Sequence, residues 1–188
     1  MKYFSEELGS NHMMPCEDQA ADLGDVFRMD AKAEGEKVVI GGWRVRGEAT
    51  CEAEWFSVTL TRAMAPWALA RGEPLRTIAS LELLRTLVSL VVLVPGRIDG
   101  NASALITTSC STDNQGNSFL LDRLLTTKYP LGVILMQLAH EMRRRRFLLR
   151  ARWLPRLQHQ EADDLTNDEF HHFCPEKRIS VNFGKWDF

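Results

Sequence analysis

Positive charge is not in excess in this 188-residue sequence, which has 23 Lys and Arg against 25 Asp and Glu and a net charge of −2. This balance excludes a globally basic nucleic-acid-binding protein, although it does not exclude a local basic patch. Cysteine is also scarce, with four residues that lack the spacing of metal-ligand pairs. We therefore expect the thiols to stay reduced, as in an intracellular compartment.

Long apolar runs are absent too. The most apolar stretch, residues 81–94, contains Glu82 and Arg85 and is too short to span a bilayer. The polar, acidic beginning of the sequence does not resemble a signal peptide. We expect no membrane association.

Three further patterns are weak as functional motifs. Gly41-Gly42 lies inside a predicted strand with no helix after it, which indicates a bulge or a close backbone approach rather than a phosphate loop. His171-His172 with Cys174 resembles part of a zinc site but lacks a second pair of ligands. Four tryptophans are predicted to be packing residues rather than stacking platforms: Trp43, Trp55, Trp67 and Trp153.

Apolar content of 45% is sufficient for a real core, and we predict one domain over residues 25–170. Residues 1–24 are predicted to be a flexible leader or linker, and the letters GSNHM leave open whether residues 1–13 are native. Residues 171–188 are predicted to be a C-terminal tail, and no secondary structure is assigned after Cys174.

Periodicity predicts five strands and four helices. The first three strands form an antiparallel meander, with a turn at residues 31–37, and a Pro- and Gly-containing loop precedes the first long helix. Strands then alternate with helices, which predicts an α/β fold with a mixed five-stranded sheet, three antiparallel strands followed by parallel ones, flanked by helices. The predicted strands are 25–30, 38–45, 54–60, 102–110 and 147–153. The predicted helices are 77–93, 115–125, 132–145 and 160–170.

Four carboxylates lie at strand ends and helix beginnings. Asp30 ends the first strand, Glu82 lies early in the first long helix, Asp113 follows the fourth strand and Asp163 lies early in the last helix. Each of two aspartates also has a simpler explanation when it is considered alone. Asp113 could cap the N-terminus of the next helix, and Asp163 could be an acidic residue at a helix beginning, where the helix dipole favours negative charge. Brought together at one sheet edge, the four would repel each other unless cations compensate their charge. A pair of Mg²⁺ ions about 4 Å apart is the arrangement that hydrolyses phosphodiesters.

The same carboxylates lie in segments that resemble the ribonuclease H family. These segments are "RMDAKAEGEKVVIGGW", "IASLELL", "ITTSCSTDNQGN" and "QEADDLTN". They are most similar to the RNase H domains of retroelement reverse transcriptases of the DIRS-like and LTR types. The resemblance implies an RNase H-like fold, binding of Mg²⁺ or Mn²⁺, cleavage of the RNA strand of an RNA–DNA hybrid, and a reverse transcriptase domain as partner.

The resemblance also implies roles for individual residues. Asp30, Glu82, Asp113 and Asp163 would be the metal ligands, with Asp164 as a rival to Asp163. His159 lies in the loop where family members have a histidine that assists product release, although it is closer to Asp163 than is usual.

Substrate contacts are predicted at Asn114 and at three residues of the arginine run, Arg143, Arg144 and Arg145. The run equally fits a solvated helix end that is favoured by the helix dipole. If it contacts the hybrid, its guanidinium groups would bind phosphates without reading sequence.

Two alternatives to the nuclease remain open. One is a non-catalytic RNase H-like module that binds nucleic acid or connects other domains. The other keeps the fold but changes the reaction, as in integrases and resolvases. The glutamate on the first long helix favours ribonuclease H over the latter.

Overall fold

The structure is a computed structural model, and it describes residues 21–45, 47, 49–69, 77–94, 106–112, 120–121, 123–153 and 160–183. Five strands form one sheet. They are β1 (Ala21–Glu34), β2 (Lys37–Arg44), β3 (Trp55–Thr59), β4 (Ile106–Thr112) and β5 (Phe147–Trp153). The helices are α1 (Pro66–Leu69), α2 (Ile78–Leu93), α3 (Leu131–Arg145) and α4 (Gln160–Thr166). Short 3-10 helices lie at Thr50–Glu52 and Pro175–Lys177.

The strand order is β3-β2-β1-β4-β5. The β1–β2 and β2–β3 pairs are antiparallel, whereas β1–β4 and β4–β5 are parallel. The mixed sheet predicted from the sequence is therefore confirmed.

The prediction of a turn at residues 31–37 is wrong. β1 continues to Glu34, which pairs with Lys37, so the turn consists of Gly35 and Glu36 alone. Gly35 has φ 58°, a conformation that glycine adopts without steric cost and that tight hairpins require. The strand was missed because its small alanines alternate with charged residues and give little apolar signal. β1 also begins at Ala21, upstream of the predicted domain boundary.

Other element boundaries differ modestly. α1 lies in the predicted loop, where Pro66 suits the first position of a helix. α4 ends at Thr166 rather than at residue 170, because the chain turns at Asp168 with φ 63°. Residues 120, 121 and 123 of the predicted 115–125 helix are helical, and residues 113–119 and 122 lie outside the described part of the chain.

Gly41 and Gly42 allow helices to approach both faces of the sheet. A Cβ on Gly41 would meet the Leu165 Cβ of α4 at 2.8 Å, and a Cβ on Gly42 would meet the Ser89 Oγ of α2 at 2.8 Å. Because successive strand residues face opposite sides, α4 packs on one face and α2 on the other. The predicted close backbone approach is confirmed.

The main core lies between the sheet and helices α2 and α3. A second, smaller cluster lies on the α4 side and contains Trp43, Trp55, Leu165 and Phe173. Trp43, Trp55 and Trp67 are all buried, as predicted. The side chain of Trp153 lies outside the described atoms.

Residues beyond 170 pack against the domain as far as the structure describes them. The backbone N–H of Ile179 donates to the Trp55 carbonyl at 2.7 Å, and Phe183 is buried in the main core. In the described part of the chain, no helix has both the length and the apolar character to cross a membrane.

Candidate active site

Asp30 does not end β1, as the sequence predicted, but lies inside the strand, which continues to Glu34. It lies just past the point where β1 and β4 stop pairing. The last β1–β4 pair is Arg28 with Ser111, and Asp30 lies opposite Gly41 of β2. Its carboxylate is only 16% exposed. A half-buried carboxylate therefore lies on the central strand of the sheet, just past the end of the parallel β1–β4 pairing.

Glu82 reaches the same place from helix α2. It is buried, and it forms an ion pair with Arg85, which lies three residues later on the same helix. The Arg85 guanidinium also lies 3.7 Å from Asp30 Oδ1. One buried arginine thus bridges two carboxylates that are far apart in sequence.

Two hydrogen bonds, one to a backbone carbonyl and one to a hydroxyl, also hold the Arg85 side chain in place. It donates to the Met29 carbonyl of β1 and, at 2.8 Å, to the Thr112 hydroxyl of β4. Thr112 is the last residue of β4, and Asp113 is the next residue in the sequence. The ends of β1 and β4 and the first turns of α2 therefore meet around one cation.

Helix α4 contacts this cluster through Thr166. The Thr166 hydroxyl lies 2.8 Å from Asp30 Oδ2 and 2.9 Å from the Asp163 carbonyl oxygen. Because a hydroxyl has one proton, the two acceptors share it. Thr166 consequently ties Asp30 to the turn of α4 that carries Asp163.

Asn167 orients the Asp163 side chain. Its amide nitrogen donates to the Asp163 carbonyl at 2.9 Å and to the carboxylate Oδ2 at 3.2 Å. Lys32 of β1 holds Asn167 in turn, through a 2.8 Å hydrogen bond to the amide oxygen. Asp163 is thus supported from the same strand that carries Asp30.

Asp164, the rival to Asp163, occupies a different environment. It is 4% exposed, and its Oδ1 accepts a 2.8 Å hydrogen bond from Gln160. The Asp164 carboxylate therefore accepts from Gln160, whereas the Asp163 carboxylate accepts from Asn167.

Three predicted site residues lie outside the described part of the chain: Asp113, Asn114 and His159. Their roles stay predictions from the sequence.

The arginine run separates into surface and buried members. Arg143 and Arg144 are exposed on the last turn of α3, and Arg144 pairs with Glu141 at 2.8 Å. Arg145 is 5% exposed, pairs with Glu141 at 3.1 Å and donates to the carbonyls of Val91 and Val94 at the end of α2. Arg145 therefore stabilises the α2–α3 contact by satisfying carbonyls that a helix end leaves without partners. Its burial differs from the surface contact expected from the sequence.

Glu141 is the counter-charge of this contact. Burial raises the pKa of its carboxyl, but the hydrogen bonds and the positive charges of Arg144 and Arg145 together outweigh burial, so the pKa lies below its ordinary value. Ionised Glu141 consequently stabilises the fold above the ordinary carboxyl pKa, and this stabilisation is lost as the pH falls through the folded-state pKa.

We expect Arg145→Met to lower the free energy of unfolding by about 3 kcal/mol, because it leaves buried Glu141 with a weaker counter-charge. Arg143→Met should change it by less than about 0.5 kcal/mol, because Arg143 is exposed. Urea denaturation of both variants at neutral pH measures the difference. Equal stability of the two variants would contradict a structural role for Arg145.

Sequence reasoning missed Arg85, Thr166 and Asn167 as members of the site. For Arg85 a signal was present, because a charged residue three positions after Glu82 in an apolar helix lies on the same helical face. Thr166 and Asn167 belong to the segment "QEADDLTN", but their partners on β1 are 135 or 136 residues away in the chain.

The sheet order, the strand directions and the helices on both faces match the mixed α/β fold that the sequence resemblance implies. Among solved structures, the chain is similar to RNase H1 from the halophilic archaeon Halobacterium salinarum NRC-1, with a TM-score of 0.48 and 14% identity over 80% of this chain and 98% of that chain. It is also similar to the N-terminal RNase H domain of a Mycobacterium tuberculosis protein, solved as a fusion with maltose-binding protein, with a TM-score of 0.47 and 16% identity over 78% of this chain and 92% of that chain. No protein family and no curated protein matches the sequence.

Proposed function

We propose that the protein is a metal-dependent endonuclease that hydrolyses the RNA strand of RNA–DNA hybrids, as part of a retroelement reverse transcriptase polyprotein. One observation carries the proposal. Asp30 and Glu82 converge on Arg85, and Thr166 joins the α4 turn of Asp163 to the same cluster. The segments that resemble the ribonuclease H family contain these three carboxylates in the same order.

The residues fit hard divalent cations such as Mg²⁺ or Mn²⁺. Asp30 and Glu82 offer carboxylate oxygens, the ligands that these ions prefer, and both lie beside the same side chain, Arg85. Together with Asp113 and Asp163 they would hold the ions. When bound, such ions stabilise charge on a reacting phosphate and activate the attacking water.

The other residues of the chain would position these ligands and the substrate. Thr166 fixes the orientation of Asp30, and Asn167 fixes that of Asp163. Exposed Arg143 and Arg144 lie at a helix end where they can bind a nucleic-acid backbone through its phosphates. Asn114 and His159 are assigned to substrate contact and product release by the family resemblance alone.

A cleavage assay on matched substrates tests the proposal. The full chain is incubated with RNA–DNA hybrid, double-stranded RNA and double-stranded DNA of one sequence, in Mg²⁺, in Mn²⁺ and with EDTA. We expect cleavage of the RNA strand of the hybrid alone and only with metal. The 2′-hydroxyl distinguishes the RNA strand from DNA, and the preference for a hybrid over double-stranded RNA is an expectation from the family resemblance. Failure to cleave the hybrid in either metal, with binding retained, would favour the alternative below.

The alternative is a non-catalytic RNase H-like module that binds nucleic acid or connects domains. Arg85 favours it, because a guanidinium already neutralises part of the charge that metal ions would neutralise. In addition, among the residues that the structure describes, Asp30, Glu82 and Asp163 are not a trio whose ligand atoms all lie within 4.8 Å of one another. Calorimetric titration with Mg²⁺ separates the two functions, since the module should show no carboxylate-dependent heat.

A further inference from the structure

Two histidines that follow α4 lie beside a buried aspartate. One ligand atom each from Asp164, His171 and His172 lies within 4.8 Å of the other two. This is the one such group of His, Cys, Asp or Glu found in the described ranges. The sequence pattern grouped the histidine pair with Cys174, whereas the structure brings the two histidines to Asp164 of the preceding helix.

The carboxylate of this group is fixed before any ligand binds. Asp164 is 4% exposed, and the Gln160 amide donates to its Oδ1 at 2.8 Å. A hydrogen bond of this kind orients a carboxylate ligand and leaves its other oxygen for a metal. Gln160 and Asp164 lie one helical turn apart, so α4 itself holds the geometry.

The histidine segment is fixed as well. Phe170 and Phe173, on either side of the histidines, pack on Trp55 with ring centroids 5.1 and 5.6 Å away. The Thr50 hydroxyl donates to the His172 carbonyl at 3.0 Å, and Trp55 Nε1 donates to the Cys174 carbonyl at 2.8 Å. The backbone that carries both imidazoles is thereby held against β3.

The chemistry of the group selects the ion. Both histidines are exposed, and the centroids of their imidazole rings are 3.9 Å apart. Two imidazole nitrogens and one carboxylate oxygen suit Zn²⁺, which takes nitrogen and oxygen ligands in fourfold coordination. Mg²⁺ prefers oxygen ligands alone.

We propose that Asp164, His171 and His172 form a Zn²⁺ site that joins α4 to the segment after it. Three protein ligands leave the fourth position to water or another small ligand. The site is separate from the carboxylates assigned to Mg²⁺ or Mn²⁺, and the proposal does not depend on nuclease activity. Its structural effect is to hold α4, which also carries Asp163 and Thr166.

Metal titration tests the proposal on the full chain. Protein freed of metal by EDTA and dialysis is titrated with Zn²⁺ in competition with a chromogenic indicator, and Co²⁺ is used as a spectroscopic substitute. We expect one ion per chain at this site and at least about a tenfold loss of affinity in His171→Ala and in His172→Ala. Loss of the Gln160 hydrogen bond in Gln160→Ala should weaken binding by about tenfold.

The controls separate this site from other zinc-binding groups. His140→Ala removes a histidine on α3, Asp168→Asn removes a carboxylate from the neighbouring turn, and Cys174→Ser removes the nearby thiol. All three should bind Zn²⁺ like the wild type. Because both ligand histidines are exposed, their variants should fold, which circular dichroism verifies. Unchanged Zn²⁺ affinity in folded His171→Ala and His172→Ala variants would overturn the proposal, as would loss in Cys174→Ser alone.

Discussion

Asp30→Asn is expected to reduce kcat/KM for cleavage of an RNA–DNA hybrid by about 10³-fold or more, equivalent to about 4 kcal/mol of transition-state stabilisation. Asparagine retains the shape of the side chain and an oxygen that can accept from Thr166, but it removes the negative charge that would hold a divalent ion. The loss should therefore appear in catalysis without a comparable loss of folding. Single-turnover cleavage in Mg²⁺, together with thermal denaturation of the same sample, measures both quantities.

Asp168→Asn is the matched control for this prediction. It makes the same change of charge in the turn after α4, where Asp168 is exposed and pairs with Lys37. Its positive φ of 63° is a conformation that asparagine tolerates well. We expect wild-type cleavage from this variant and, from the sequence resemblance, a loss in Asp113→Asn like that in Asp30→Asn. An Asp30→Asn protein that cleaves at the wild-type rate would refute the assignment of Asp30 as a ligand.

Arg85→Met should lower the free energy of unfolding by about 3–5 kcal/mol in metal-free buffer, because it leaves a buried carboxylate without its cation. Glu82 is 5% exposed and Arg85 is 1% exposed. Water therefore has little access to the Glu82 carboxylate and does not compensate for the loss of the guanidinium. Adding Glu82→Gln to Arg85→Met should recover much of the loss, since the double variant no longer buries the charge of Glu82. Chemical denaturation in EDTA measures the free energy of unfolding of the wild type, of Arg85→Met and of the double variant.

Arg44→Met is the matched control, because Arg44 pairs with Glu54 at 3.0 Å on the surface, where the two side chains are 23% and 36% exposed. An ion pair of that kind contributes about 0–1 kcal/mol. If Arg85→Met were no less stable than Arg44→Met, the buried ion pair would not have the energetic role inferred from its geometry.

The effect of Mg²⁺ on the stability of the wild type and of Arg85→Met separates the two proposed functions. If Asp30 and Glu82 bind the ion, Mg²⁺ should stabilise Arg85→Met more than it stabilises the wild type, because the ion replaces the missing cation. Stabilisation of both proteins supports the nuclease. Stabilisation of the variant alone indicates that Arg85 takes the place of the ion in the wild-type chain, which supports the non-catalytic module.

Elements with a strong local pattern are predictable from the sequence alone. β5 was predicted at residues 147–153 and is observed at Phe147–Trp153, and the helix predicted at 77–93 is observed at Ile78–Leu93. Apolar residues at a regular period dominate both segments, so local sequence is sufficient to define them. The pattern is weak at the end of β1, which consists of alanines and charged residues. There the pairing with β2, and not the local sequence, makes the segment a strand.

The segments that carry the candidate carboxylates can also be identified in the sequence, although the role of these residues as metal ligands stays a prediction. What surrounds Asp30, Glu82 and Asp163 depends on the tertiary structure. The bridging by Arg85, the hydrogen bond from Thr166 to Asp30 and the meeting of Asp164 with His171 and His172 join residues on different elements. Local periodicity reports which face of an element is apolar, but it does not report which side chains of different elements meet when the faces pack. That pairing depends on the register and approach of the elements, which the whole core determines at once.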